Sequence, residues 1–158
     1  MRKILVSTIS FVNTEKQGSE IYTTFAKRLV DDVINKTPND IMVSTNRPEL
    51  FDSVQKSERI IINGCEMGNH KTHVAVFNQL LKFYAIKNID SKYDWVLYLD
   101  CDAGFTSNVD VSVIEEYIDN IELEGFDMSA TRTNATYEYA EQEFLETTDF
   151  DAWPKPLF

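Results

Sequence analysis

Asp100 and Asp102 stand one residue apart where the apolar run Tyr93-Asp94-Trp95-Val96-Leu97-Tyr98-Leu99 stops, and Ala103-Gly104-Phe105 follows them. Carboxylates this close repel each other unless a cation or hydrogen-bond donors neutralise them. Hard divalent cations such as Mg²⁺ and Mn²⁺ take carboxylate oxygens alongside water and phosphate, so the chemistry this spacing serves is a metal-diphosphate site. Asp-x-Asp also arises in acidic chains as a solvated turn, and its position at the end of the most hydrophobic strand favours the metal. Thr8, Ser10 and Phe11 close the first apolar run and are placed to contact a ligand at that strand's carboxyl end. Lys82 lies on the polar stripe of a candidate helix leading to the Asp-bearing strand, a position where a lysine is otherwise simply solvated. Cys65, Glu66, His70 and His73 invite a zinc site, but with one thiol nearby and Gly64 and Gly68 marking a loop, a loop beside the substrate is the preferred reading. No residue declares itself a catalytic base.

These residues need a scaffold, and the pattern of the chain supplies one. Lys3 to Thr8 reads as a first buried strand. A helix follows to about Asn35, with a capping-box spacing at Thr14 to Gln17 and with Ile21, Phe25, Leu29 and Val33 recurring every fourth residue beside Tyr22, Ala26, Val30 and Ile34. Thr37 to Asp40 breaks that helix, Ile41 to Thr45 forms a second strand, and Asn46 to Phe51 is a loop entering a short helix. Arg59 to Asn63 is a third strand. Thr72 to about Asn88 is a helix with Val74, Phe77, Leu81 and Tyr84 on one face and Lys82 on the other. The run ending at Asp100 is a fourth strand, apolar enough to be buried on both faces, and Gly104 gives the backbone freedom for a sharp exit. A helix through about Ile121, capped by Asn108 or Asp110, a strand over Phe126 to Thr131 and an acidic helix over Tyr137 to Glu146 complete the pattern. Strands alternating with helices predict an α/β fold with a mostly parallel sheet and helices on both faces.

The chain has 158 residues and 43% hydrophobic content, enough for one domain with a real core. Its 26 acidic and 15 basic residues give a formal charge of -11, which disfavours nucleic acid and anionic membrane as partners. A phosphate-bearing ligand therefore needs local help from metal or lysine. Ile4 to Val12 is interrupted by Ser7, Thr8 and Ser10 and lacks a cleavage pattern, so it reads as a strand and not as a signal peptide. No stretch reaches a membrane-spanning length, and two cysteines do not make a disulfide framework, so a cytoplasmic location is expected. Phe150, Trp153, Pro154, Pro156, Leu157 and Phe158 make an apolar terminus, expected to pack on further chain, on the sheet or on a second copy.

Neither Gly-x-Gly-x-x-Gly nor Gly-x-x-x-x-Gly-Lys-Ser/Thr occurs, so a diphosphate here is not cradled by a glycine loop and metal is the remaining means. In its opening strand Ile4 to Thr8, its helix with Lys82, its Tyr93 to Asp102 segment and its Trp153-Pro154-Lys155-Pro156-Leu157-Phe158 end, the chain resembles the nucleotide-sugar-dependent glycosyltransferases of the GT-A fold. These carry Asp-x-Asp at the end of a fourth strand on a Rossmann-like sheet. The resemblance implies transfer of a sugar from a nucleoside diphosphate sugar to an acceptor hydroxyl, with Mn²⁺ or Mg²⁺ bridging the diphosphate. It assigns the metal to Asp102, and to Asp100 directly or through the ribose, gives Lys82 to the donor phosphates or ribose, and sets Thr8, Ser10 and Phe11 around the nucleoside. Such domains usually run on into a second half-sheet that supplies the acceptor pocket, so residues 1–158 are expected to be the donor-binding part of a longer catalytic domain. Leu99 to Thr106 also faintly resembles the strand-end motif of haloacid-dehalogenase-like phosphatases, but three candidate strands precede it here where that family has none. The competing classes are a metal-dependent nucleotidyl or phosphoryl transferase and a non-catalytic interaction domain whose Asp pair is structural.

Overall fold

Among the described residues four strands form one sheet: β1 (Ile4–Ser10), β2 (Asp40–Thr45), β3 (Ile60–Gly64) and β4 (Trp95–Tyr98), in the order β3-β2-β1-β4 with every neighbouring pair parallel. The computed structural model describes residues 2–12, 20–54, 56–66, 81–105 and 111–127. The chain is thus an α/β fold whose sheet is parallel throughout the described residues, where the alternation of strands and helices predicts a mostly parallel one. Because the strands are parallel, their carboxyl ends share one edge. Phe11 and Val12, Asn46, Cys65 and the Asp100-Cys101-Asp102 segment all lie along it.

Leu5, Val6, Ile41 and Val43 are fully buried in β1 and β2, the two inner strands. Helix α1 (Ile21–Lys36) covers one face, where Ala26, Leu29, Val30 and Val33 pack with Val6, Ile41, Val43, Phe51 and Cys101. Burying each of the larger side chains is worth about 1.5–3 kcal/mol, and the i, i+3, i+4 spacing delivers them to one stripe. The buried stripe is shorter than the sequence periodicity implies. Ile21 and Tyr22 are about half exposed, because Thr23 already lies level with Ser10, the last residue of β1, and the first helical turn projects past the strand end. Thr37 ends the helix in extended conformation, its N–H and hydroxyl both donating to the Val33 carbonyl at 3.0 and 2.9 Å.

Strand β4 corrects an expectation. It reads as buried on both faces, yet its four residues are only half-buried, because among the described residues β4 is an edge strand with β1 on one side. Its apolar character serves the α1 face, where Leu97 and Leu99 join the core, while Trp95 donates from Nε1 to Glu122 of a second helix, α2 (Val111–Leu123), at 3.0 Å. Of the helix expected over Thr72 to about Asn88, Thr72 to Leu80 lie outside the described residues, while Lys82–Ala85 is a 3₁₀ turn and Asn88 takes a left-handed φ of 63°. Phe126 and Asp127 are not in a strand. Thr14 to Gln17, His70, His73, Asn108, Asp110, Met128 to Thr131, Tyr137 to Glu146 and Trp153 to Phe158 lie outside the described residues. Among the described residues no helix is long and apolar enough to cross a membrane.

Candidate functional site

Pairing between β1 and β4 runs one residue past the strand, with the Leu99 N–H donating to the Ser7 carbonyl at 3.0 Å. The chain then reverses in a turn closed by the Ala103 N–H on the Asp100 carbonyl at 2.9 Å, with Cys101 and Asp102 at its centre. Cys101 is buried in the core against α1 and anchors that turn, which leaves Asp100 and Asp102 on either side of it facing solvent. Burial, reinforced by the charges of Asp102 and Asp100, pushes the Cys101 thiol up to about 11, so it stays protonated and inert at neutral pH.

Asp100 is held and Asp102 is not. The Tyr98 hydroxyl donates to Asp100 Oδ1 at 2.6 Å, and Lys82 Nζ lies 3.1 Å from Oδ1 and 3.4 Å from Oδ2. Tyr98 and Asp100 are two residues apart, which puts their side chains on the same face of the extended chain. Burial raises the Asp100 carboxyl, but the Tyr98 hydroxyl and the Lys82 ammonium outweigh it and hold the group below its ordinary range. Burial, then the hydrogen bond to Asp100, drives the Tyr98 phenol well above its usual value, so it remains a proton donor to that carboxylate. Asp102 is exposed, and among the described residues it makes no hydrogen bond or ion pair.

Lys82 is aimed by its backbone. The turn Lys82–Ala85 is pinned to the sheet face opposite α1 by two serines. Ser7 Oγ donates to the Ala85 carbonyl and Ser44 Oγ to the Tyr84 carbonyl at 2.8 Å, and Asn63 in turn donates to Ser44 Oγ at 3.1 Å. The same turn brings Tyr84 to Phe11, ring centroids 5.4 Å apart, with Lys87 Nζ 5.5 Å from the Tyr84 ring and the Tyr84 hydroxyl donating to the Glu66 carbonyl at 3.3 Å. The Asn46 amide fixes the segment that carries Phe11. It accepts from the Val12 N–H and donates to the Val12 carbonyl, both at 2.9 Å, acting as one more rung between the ends of β1 and β2.

The structure therefore brings Lys82 to Asp100 and leaves Asp102 open beside them, with Phe11 on the sheet face that bears Lys82. Thr8 and Ser10 are not brought there. Both are buried on the α1 face, in step with Val6, and Ser10 Oγ lies 3.5 Å from Thr23 Oγ1. Thr8 Oγ1 is buried without a hydrogen-bond partner among the described residues. Side-chain alternation along β1 separates these two from Phe11.

Gly104 is small for a reason other than backbone freedom. A Cβ there would sit 2.7 Å from Asp32 Oδ2. Asp32 accepts from the Phe105 N–H at 3.1 Å and pairs with Lys36 at 2.7 Å, and Lys36 donates to the Phe105 carbonyl, so one ion pair of α1 grips both sides of the Phe105 residue. The segment leaving the Asp pair is thereby strapped to α1. The sequence pattern puts Tyr98 in an apolar run, Tyr84 on a helix face and Asn46 in a loop without giving any of them a part in the site, and the Asp32–Lys36 strap is not predicted. Only Tyr98 carried a local signal, its two-residue spacing from Asp100.

The donor set fits a hard divalent cation in type. Two carboxylates, one with both oxygens open, suit an ion that keeps several waters and takes the remaining ligands from phosphate. Among the described residues no group of three or more His, Cys, Asp and Glu is placed to hold a metal ion. No protein-family model matches the chain, and no curated protein matches it in sequence.

Proposed function

We propose that the chain binds a nucleoside diphosphate sugar through a divalent cation and transfers the sugar to an acceptor hydroxyl, in the manner of GT-A-like glycosyltransferases. The observation that supports this most is the asymmetry of the Asp pair at the carboxyl edge of a parallel sheet, where α/β proteins take their ligands. In this reading Asp102 is the direct carboxylate ligand, and Asp100 contributes its less engaged Oδ2 or meets the ribose. Tyr98 keeps Asp100 oriented and charged. Lys82 is within reach of a phosphate bound there, and Phe11 with Tyr84 offers an aromatic surface to the base. A bound Mn²⁺ or Mg²⁺ would offset the charge that develops on the diphosphate as the sugar leaves. Thr8 and Ser10 receive no ligand contact, and no residue is assigned as a base. Cys65 and Cys101 are free thiols, which suits the reducing cytoplasm we assign.

A thermal-shift screen of nucleoside diphosphate sugars, with and without Mn²⁺, tests this reading, because a ligand that binds only the native state raises apparent stability. At least one sugar nucleotide should stabilise the protein only when metal is present, and turnover should release nucleoside diphosphate. Release of pyrophosphate from a nucleoside triphosphate would point instead to a nucleotidyl transferase. Release of free phosphate would point to a phosphatase. No metal-dependent shift with any nucleotide would leave the Asp pair as a structural turn.

A further inference from the structure

We propose that Lys82 is a resident counter-cation. It occupies Asp100 while the site holds no divalent ion and gives that carboxylate up to the metal, moving its own charge to the diphosphate. The inference rests on the metal-diphosphate reading above. Lys82 Nζ straddles the Asp100 carboxylate, 3.1 Å from Oδ1 and 3.4 Å from Oδ2, and so takes up space over both oxygens that a divalent ion binding this group needs. Tyr98 fills the remaining direction on Oδ1 at 2.6 Å. With Lys82 present the local charge of Asp100, Asp102 and Lys82 is -1, and without it -2.

The pair is built to be exchanged. The Lys82 and Asp100 side chains are 37% and 57% exposed, and ion pairs of that kind are worth only a fraction of a hydrogen-bonded buried pair, which makes displacement by a doubly charged ion feasible. The turn that begins at Lys82 is held by Ser7 at the Ala85 carbonyl and by Ser44 at the Tyr84 carbonyl, while the four-carbon stem of Lys82 is free to swing. Lys82 Nζ also rests 5.6 Å from the Tyr98 ring centroid, a second weak contact that keeps the ammonium at the site. A lysine that competes with metal yet pairs with phosphate must act with opposite sign on the two ligands. A merely solvated lysine changes neither.

Calorimetric titration separates these cases, first with Mn²⁺ alone and then with uridine diphosphate at saturating Mn²⁺, on the wild type, Lys82→Met, Lys82→Arg and Asp102→Asn. Lys82→Met should bind Mn²⁺ alone about three- to tenfold more tightly than wild type and bind the nucleotide about tenfold more weakly. Lys82→Arg, which keeps the charge, should stay within about twofold of wild type for Mn²⁺ alone. Circular dichroism melting should show all four proteins folded. If Lys82→Met binds Mn²⁺ no more tightly than wild type while Asp102→Asn abolishes binding, the counter-cation is overturned and the metal site stands. If the wild type binds neither Mn²⁺ nor its nucleotide complex, the metal reading fails and takes the counter-cation with it.

Discussion

The two ends of the sheet use their polar groups in different ways. At the amino end the Arg59 guanidinium donates to the carbonyls of Ile34, Thr37 and Asn39 at 3.2, 2.6 and 2.6 Å, closing the end of α1 onto the start of β2. The Tyr93 hydroxyl donates to Asp40 at 2.6 Å, and Asp94 exchanges hydrogen bonds with the Lys3 backbone at 2.8 and 2.9 Å. These groups are turned on the chain itself, although the buried Arg59 Nε has no hydrogen-bond partner among the described residues and lies 3.9 Å from Asp40 Oδ1. At the carboxyl end Asp100 is shared between a tyrosine and a half-exposed lysine, and Asp102 is spent on nothing among the described residues. Carboxylates whose partners are weak or missing are the ones with binding capacity left. The contrast adds a geometric reason to propose the site at the Asp pair, one that the Asp-x-Asp pattern does not contain, because a turn of that sequence forms in either case.

If the contrast is right, substitutions at the amino end should cost stability and those at the carboxyl end should cost binding. The largest effect is expected for Arg59→Leu, which strips charged donors from three backbone carbonyls in one step. Urea unfolding should show a loss of about 2–3 kcal/mol with an unchanged slope. A loss under about 0.5 kcal/mol would mean that water replaces the guanidinium freely and that the amino end is not closed. Next comes Gly104→Ala, where the new methyl must push Asp32 Oδ2 away and loosen its grip on Phe105. The expected cost is about 1–2 kcal/mol, accompanied by weaker metal-nucleotide binding, since the segment joins the Asp pair to α1. A variant with unchanged stability and binding would show that the strap does not position the pair.

The smallest effect is on the acid limb of stability. Lys36, then the Phe105 N–H, holds the Asp32 carboxyl below its ordinary value in the fold. A depressed folded-state pKa gives stability that is complete above the unfolded value, about 4, and is lost as pH falls through the folded one. Asp32→Asn should therefore be less stable than wild type at neutral pH, and the gap should narrow below about pH 4. A gap that is constant with pH would mean that shape rather than charge explains the strap.

The sequence made the sheet and the Asp pair legible for physical reasons. β1 and β2 are short branched apolar runs ended by hydroxyl residues, α1 repeats every fourth residue, and Asp100 follows an apolar run that could only be a strand. Lys82 was legible as the basic residue of the preceding helical segment. What the pattern could not carry was the face each residue takes. Thr8 and Ser10 were grouped with Phe11 because they adjoin it, yet alternation sends them to α1, and which parity faces α1 is decided by tertiary packing. β4 misled for a related reason: aromatic and branched residues suit a half-buried edge as well as a centre, and only pairing tells them apart. Gly104 was read as a conformational device, whereas a Cβ there would stand 2.7 Å from a carboxylate 72 positions earlier in the chain, which would have to shift. Such a contact leaves no local trace.

In the proposed reading Asp102 has no partner among the described residues because its ligand is a metal carrying a diphosphate. Calorimetry of uridine diphosphate in the presence of Mn²⁺, comparing wild type with Asp102→Asn, tests it most directly. The substitution keeps the shape and removes the charge, and at an exposed position it should leave unfolding stability within about 0.5 kcal/mol. Metal-dependent binding is expected in the wild type and none in the variant. Equal binding in both proteins, or wild-type binding that ignores Mn²⁺, would contradict it.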